Sequence, residues 1–338
     1  MYSRASTIAL IVTIGITGVV GHDSGHSTPP AGVVIERQVP KVIYSPTFIT
    51  SGPSDAMWFT EYHESLIGSL SQSGHTRIYP SPFGRNPIFG PGGITPGPGG
   101  DLWFTNIDAN TIGRLTTAGD VTDYSDVNNA EAIGDPFDII QGPDHNLWFT
   151  NYGANSIGRM SSSGDATGFA DTRIEEPLGI TVGPDRALWF TSYGNNAIGR
   201  ITTTGKITMF EGAGINGPLG IATGPDGALW FTSFVNNSIG RITTSGMVTM
   251  YTSAGINGPL SIAAGPDGAL WFTSSSNDAI GRISLAGQVT MYKHSDIDTP
   301  FAIVAGPDKA LWFTMAANKA IGRITTAGHV TIFKLGKI

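Results

Sequence analysis

The chain has no cysteine. That excludes disulfides, thiolate zinc sites and a lipid-modified cysteine, and it leaves the redox compartment open. Charge is scarce: 13% of residues are Asp, Glu, Lys or Arg, and the net charge of −7 is spread without any Lys/Arg cluster. A nucleic-acid footprint needs a basic stripe, so no nucleic-acid partner is expected. Helical signals are also missing. No window of ten or more residues pairs a 3.6-residue apolar period with capping residues, which excludes a mainly helical body. What the chain has instead is glycine, 46 of them, the mark of many tight turns.

It also has a repeat. All seven tryptophans (Trp58, Trp103, Trp148, Trp189, Trp230, Trp271 and Trp312) stand in a Trp-Phe pair, spaced by 45 residues twice and then by 41 four times. A period in the forties marks a repeat architecture. One unit parses into four short strands. Pro218–Thr223 is strand A, and Gly224-Pro225-Asp226-Gly227 is a turn in which Pro pre-sets φ and Gly tolerates positive φ. Ala228–Ser233, rich in aromatic and β-branched residues, is strand B. Ser238–Thr244 is strand C, and the alternating Met247–Tyr251 is strand D. Four antiparallel strands repeated seven times predict an all-β fold, a seven-bladed β-propeller over residues 33–338. No blade covers its own faces, so each Trp is expected to fill the space between blades, worth at most about 4–6 kcal/mol for roughly 150–250 Å² of buried ring. A ring closed within one chain predicts a monomer.

Other residues recur with the Trp. Asp144, Asp185, Asp226, Asp267 and Asp308 sit in the Gly-Pro-Asp turn, and Arg114, Arg159, Arg200, Arg241, Arg282 and Arg323 in strand C. The expected roles are a turn-capping Asp and an Arg that pairs or packs between blades. Irregularity is confined to the early repeats, where Pro80–Pro87 and Asp126–Asp135 lengthen the links. Closure has two candidates, since both His329–Lys334 and Val33–Val39 read as strands wanting the same edge. At the N-terminus, Arg4 precedes the uncharged, mostly apolar Ala5–Val20 and the polar His22–His26. Residues 1–28 therefore read as a secretory signal segment plus linker, which implies a secreted or extracytoplasmic protein. The run is long for a signal, so a single membrane anchor is the alternative.

The unit P-x-G-I-(T/A)-x-G-P-D-G-x-L-W-F-T, followed by N-x-I-G-R-I-T, resembles the virginiamycin B lyase (streptogramin lyase) family, with Pro177–Thr181 and Ala187–Ile201 among the closest stretches. The resemblance implies a propeller and, for enzymes of that family, Mg²⁺-assisted elimination that linearises cyclic depsipeptide antibiotics. It also implies where the catalytic groups belong: a His after the strand-A proline of blade six, Glu-Pro-His opening blade seven, and a Glu two residues past its W-F-x. Those places hold Leu260, Thr299-Pro300-Phe301 and Ala316. No rotated register supplies the His, because the residues after the strand-A prolines are Thr47, Gly92, Phe137, Leu178, Leu219, Leu260 and Phe301.

Chemistry-bearing residues remain on the rim made by the D–A and B–C loops. Glu61 and His63 are catalytic candidates, the carboxylate or imidazole serving as a general base. Glu61, Glu64, Asp296 and Asp298, with His294 nearby, are candidate ligands for a hard cation if blades one and seven bring their loops together. Asn106, Asn151, Tyr152 and Tyr193 are candidate contacts to a polar or stacking ligand. Glu175, Glu176, Asp135 and Asp138 read as loop acids that keep the rim solvated, and His145 as an exposed residue on the opposite rim. The expected function is an exported, non-catalytic propeller that binds a small molecule, peptide, glycan or protein at its rim. The alternative is a Mg²⁺-dependent C–O lyase acting on streptogramin B-type depsipeptides.

Overall fold

A computed structural model describes residues 45–80, 87–125, 132–212 and 214–335. They form seven four-stranded antiparallel sheets, each built from four consecutive strands. The blades span Pro46–Pro80, Pro91–Tyr124, Pro136–Ala170, Pro177–Glu211, Pro218–Thr252, Pro259–Lys293 and Pro300–Lys334. Three single-turn 3₁₀ segments are the only helices among the described residues. The seven-bladed propeller read from the sequence is the fold. The signal or anchor segment, the Val33–Val39 strand and the middles of both long links lie outside the described residues.

Blade five shows why these residues make these strands. Strands A to D are Pro218–Thr223, Leu229–Ser233, Ser238–Ile242 and Val248–Thr252. Strand B is buried at every position, while strand D alternates with solvent. That is the pattern of an inner strand with both faces covered and an outer one half covered. Phe231 pairs with Gly240 on strand C, and its ring lies over that glycine. A Cβ at Gly240 would stand 2.0 Å from Phe231 Cζ, so the Gly of each Ile-Gly-Arg is the space into which the Phe folds. In the A–B turn, Gly227 has φ +71°, the left-handed conformation that glycine adopts without strain.

The tryptophan packs outward in its blade and against the next. Trp230 is fully buried among Leu270 and Phe272 of blade six, and it stacks on Tyr251 of its own strand D at 5.3 Å and 11°. Its Nε1 donates to Asp226 Oδ1 at 3.0 Å, and Arg241 Nε donates to Asp226 Oδ2 at 2.6 Å. The recurrent Asp and Arg are therefore partners within one blade, joined through the Trp edge. Burial raises the Asp226 carboxyl, but the bonds from Trp230 and Arg241 outweigh it and hold the group below its ordinary value. Three blades improvise. In blade one Ser54 and Ser69 replace the Asp and Arg, and Trp58 Nε1 donates to the Pro53 carbonyl at 3.2 Å. In blade two Gly99 replaces the Asp; Arg114 pairs with Asp101 at 2.5 Å, and Trp103 Nε1 is buried without an acceptor. In blade three Arg159 crosses to the Thr203 carbonyl of blade four at 3.3 Å, the one case among the described residues that fits the expected inter-blade Arg.

A second recurrent contact joins the blades at their inner edge. Strand A is bulged between Pro218 and Ile221, and the Thr232 hydroxyl of strand B fills the gap. It accepts from the Gly220 N–H at 2.9 Å and donates to the Leu260 carbonyl of blade six at 2.8 Å. Thr105, Thr150, Thr191, Thr273 and Thr314 make the same donation to the following blade. For Thr314 the acceptor is the Thr47 carbonyl of blade one, at 2.6 Å. This contact ties the last blade to the first, and blade seven is completed by its own Val330–Lys334.

Trp230→Ala should cost about 3–5 kcal/mol, the transfer and cavity cost of a fully buried indole. Urea unfolding measures it; a loss under about 1 kcal/mol would contradict the packing described.

Candidate functional site

The rim that carries the candidates is built from loops tied to one another. In blades two to six the residue after Trp-Phe-Thr reaches into the preceding D–A loop. Asn106 is fully buried; its Oδ1 accepts from the Phe89 N–H, and its Nδ2 donates to the Pro87 carbonyl and Thr111 Oγ1. Asn151 is equally buried and bonds Gly134, Ala132 and Ser156 in the same way. Ser192, Ser233 and Ser274 do this with a hydroxyl. Asn106 and Asn151, expected as ligand contacts, are instead spent on backbone, because the hydrophobic rim places them beneath it with N–H and C=O groups to satisfy. A second latch links neighbours: Asn155, Asn196, Asn237 and Asp278 accept from the D–A loop N–H of the next blade.

Above these side chains the next residue of each blade forms a ring of Tyr62, Ile107, Tyr152, Tyr193, Phe234, Ser275 and Ala316. Inside it stand the residues after the strand-A prolines. Phe137, Leu178, Leu219, Leu260 and Phe301 are buried with Ile107 and Tyr152, and Tyr62, Tyr193 and Phe234 are packed half-buried against them. Phe48 completes the centre, its ring edge-on to Phe137 at 5.4 Å and to Phe301 at 5.6 Å, two residues from different blades. The middle of the rim is an apolar plug edged by aromatics. Tyr152 is sealed into it, whereas Tyr193 is half-exposed beside Phe234 and the exposed Val235.

The acidic candidates scatter. Glu61 is buried at the end of strand B of blade one, where its Oε2 accepts from the Glu64 N–H. Burial raises the Glu61 carboxyl to about 7, with the Glu64 charge adding to the shift and the nearby backbone N–H groups of Glu64, Ser45 and His63 opposing it. A raised pKa suits a general base, but this carboxyl has no exposed surface from which to reach a ligand. His63 is exposed and lies edge-on to Tyr62 at 5.3 Å. Tyr62 Oη donates to Asp108 at 2.7 Å. Asp296 and Asp298 sit in the loop entering blade seven: Asp296 lies 3.8 Å from His294 Nδ1, and its backbone carbonyl accepts from Asn318. Asp298 accepts from Thr299 Oγ1. No group of three or more His, Asp or Glu gathers among the described residues.

Sequence reasoning set Asp138 aside as a loop acid and passed over Phe48. The structure places both on inner strands, facing the central channel. The signal was available: the third residue of strand A reads Phe48, Gly93, Asp138, Gly179, Gly220, Ser261 and Ala302, and a carboxylate or a large ring among small residues marks a broken symmetry.

A seven-bladed propeller with loops latched around an apolar rim centre is the class of protein these features define. The family profile described as virginiamycin B lyase matches residues 16–214, 129–254 and 213–337. A structure titled streptogramin B lyase shares 32% identity at TM-score 0.76, covering 88% of this chain and 95% of its own. Virginiamycin B lyase from Staphylococcus aureus shares 35% identity at TM-score 0.75, covering 83% and 94%. A catalytically inactive histidine-to-alanine form of that protein with quinupristin matches at 34% identity and TM-score 0.74, covering 82% and 94%. This chain belongs to the virginiamycin B lyase family. A search of curated protein sequences finds no significant match. A structure titled hydrazine synthase from Kuenenia stuttgartiensis, 13% identical at TM-score 0.66, shares the fold alone.

The Mg²⁺ that the family implies does not fit the residues present. Leu260, Phe301 and Ala316 are buried and apolar, and they offer no oxygen or imidazole to a hard cation.

Glu61 has a consequence for stability. Its folded-state pKa is raised, so its contribution is full below its ordinary value near 4.5 and is lost as pH rises through about 7. Glu61→Gln should therefore gain on the parent protein by about 2–3 kcal/mol between pH 5 and pH 8 in paired urea melts. Parallel pH dependences would show that the carboxyl is not held in this way.

Proposed function

We propose that this propeller binds an amphipathic, peptide-like ligand on the rim formed by its D–A and B–C loops and releases it chemically unchanged. The observation that carries the reading is the apolar plug. Leu260, Phe301 and Ala316 occupy the places where the family resemblance puts its histidines and glutamate, and all three are buried in or beside that plug. Tyr193, Phe234 and Val235 supply stacking and apolar surface around it, and such rings are effective recognition groups when one edge stays wet. The cyclic depsipeptides are the ligand class we favour, because a similar protein was crystallised with quinupristin. The Arg4–Val20 segment supports action outside the cytoplasm.

Elimination is the competing reading, and family membership favours it. One experiment separates the two. The full chain is titrated with quinupristin in a calorimeter, with and without Mg²⁺, and the recovered ligand is fragmented in a mass spectrometer, since ring opening by elimination leaves the mass unchanged. The expected outcome is saturable binding of intact, cyclic quinupristin, weakened at least about tenfold (1.4 kcal/mol) by Tyr193→Ala combined with Phe234→Ala. A linear fragmentation pattern would establish the lyase. Absence of binding would remove the depsipeptide class from this rim.

A further inference from the structure

The central channel behind the plug is a cavity of about 460 Å³, within the range of small-molecule sites. It is blind at one end and open at the other. Along strand A, the proline-end residues Phe137, Leu178, Leu219, Leu260 and Phe301 are buried, while the last residues, Ala222–Thr223, Ala263–Ala264 and Val304–Ala305, are half-exposed. The mouth therefore lies on the Gly-Pro-Asp rim, opposite the rim discussed above.

The walls are not uniform. Beyond the plug the lining is Ile140, Thr181, Ala222, Ala263 and Val304 among others, and Asp138 is its only titratable side chain among the described residues. Its Oδ1 accepts from the Ile139 N–H at 2.9 Å and its Oδ2 from the Ile180 N–H of blade four at 3.1 Å. Among the described residues neither oxygen meets a cation, and each retains a lone pair. Ser261 occupies the equivalent place in blade six. Its Oγ accepts from the Ile303 N–H at 3.2 Å, which satisfies that inter-blade amide without charge and leaves the hydroxyl proton free to donate. The same job needs no carboxylate. Gly179 and Gly220, in the same layer, lie against the following blade's backbone, where a Cβ would stand 2.6 Å from the Leu219 carbonyl oxygen and 2.7 Å from that of Leu260; the Phe48 ring closes the proline end of the channel.

We propose that this channel is a second site, taking a monocationic alkyl- or arylammonium ion whose nitrogen bonds the Asp138 carboxylate and whose apolar body lies along the channel toward the Gly-Pro-Asp rim. A half-buried charge beside apolar walls, with no counter-ion among the described residues, is costly, and a bound ammonium reduces that cost. A divalent ion is excluded on donor count, since one carboxylate and one hydroxyl do not complete its shell. An anion is repelled. Burial raises the Asp138 carboxyl to about 6, and the Ile180 and Ile139 amides only partly oppose this. Affinity for the ammonium should therefore rise as pH passes upward through that value and the carboxylate ionises.

The probe is n-octylammonium, with 1-octanol and octanoate as its neutral and anionic counterparts, each titrated calorimetrically into the full chain. Octylammonium should bind with one site per chain, at least about tenfold tighter than octanol and tighter at pH 7.5 than at pH 5, with octanoate failing. Asp138→Ser copies the serine of blade six and keeps an acceptor for Ile180. It should reduce octylammonium to the level of octanol and flatten its pH dependence. Ala222→Phe, which fills the lower channel, should abolish both. Octanol as tight as octylammonium would mean an apolar cavity only. That result, unchanged affinity in Asp138→Ser, or no binding of octylammonium would each overturn the proposal. Tyr193→Ala with Phe234→Ala should leave this binding intact, so the outcome is independent of the ligand-binding rim.

Discussion

The hydroxyl of the threonine after each Trp-Phe pair holds the ring together. A four-stranded sheet of this kind leaves two apolar faces and an inner edge of unpaired backbone groups, and neighbouring blades must deal with both. The stacked Trp and aromatic of strand D cover the faces. The threonine handles the edge, because the bulge in strand A frees one N–H of its own blade and exposes one C=O of the next, and a single hydroxyl bonds both. A β-branched residue with one hydroxyl is among the smallest side chains able to do this within a strand. The deviation is as informative as the rule. Thr60 of blade one turns to Thr47 Oγ1 at 2.9 Å rather than to blade two, where Gly92 replaces the usual large residue. Closure falls to Thr314 and the Thr47 carbonyl, so the last and first blades meet through the same contact that joins blades two to seven.

The fold was legible because its cause is local and repeated seven times. Trp, Phe and Thr in one five-residue strand, Gly opposite the Phe, and Asp in the preceding turn each answer to a contact within the blade or with the next one. The period alone then dictates the number of blades. One role was assigned differently from sequence. The Asp caps its turn as expected, accepting from the Ala228 N–H at 3.4 Å, but the Arg expected to pair or pack between blades converges with it on the Trp edge of its own blade. Spacing alone does not reveal that convergence, because Trp230 and Arg241 are cross-strand partners whose polar ends reach back over the turn.

The rim was less legible, and the reason is physical. Asn106 and Asn151 look like ligand contacts because polar residues at strand ends in loop-rich sequence are commonly exposed. Here they lie beneath a lid of Tyr, Phe and Leu and carry the hydrogen bonds of the loops above them. Sequence shows that a residue is polar; it does not show whether the polarity faces solvent or satisfies buried backbone. Glu61 illustrates the same limit. It occupies the position of those loop-holding residues in blade one, and a carboxylate doing that work is buried and pushed up in pKa without being placed to meet a substrate.

Symmetry supplies the remaining distinction. Positions that serve the ring repeat around it, and a residue that departs from its six counterparts without improving the ring is free to serve something else. At the rim, apolar side chains stand where the family resemblance puts imidazole and carboxylate. In the channel, glycine, alanine or serine suffices at the third position of strand A in five blades, whereas Phe48 and Asp138 add a ring and a charge. The Ile180 amide that Asp138 satisfies has its counterpart satisfied by Ser261 at no electrostatic cost, so backbone satisfaction alone does not account for a carboxylate in an apolar channel. The propeller closes with glycine, alanine or serine at this position, so the ring of Phe48 and the carboxylate of Asp138 call for separate explanations.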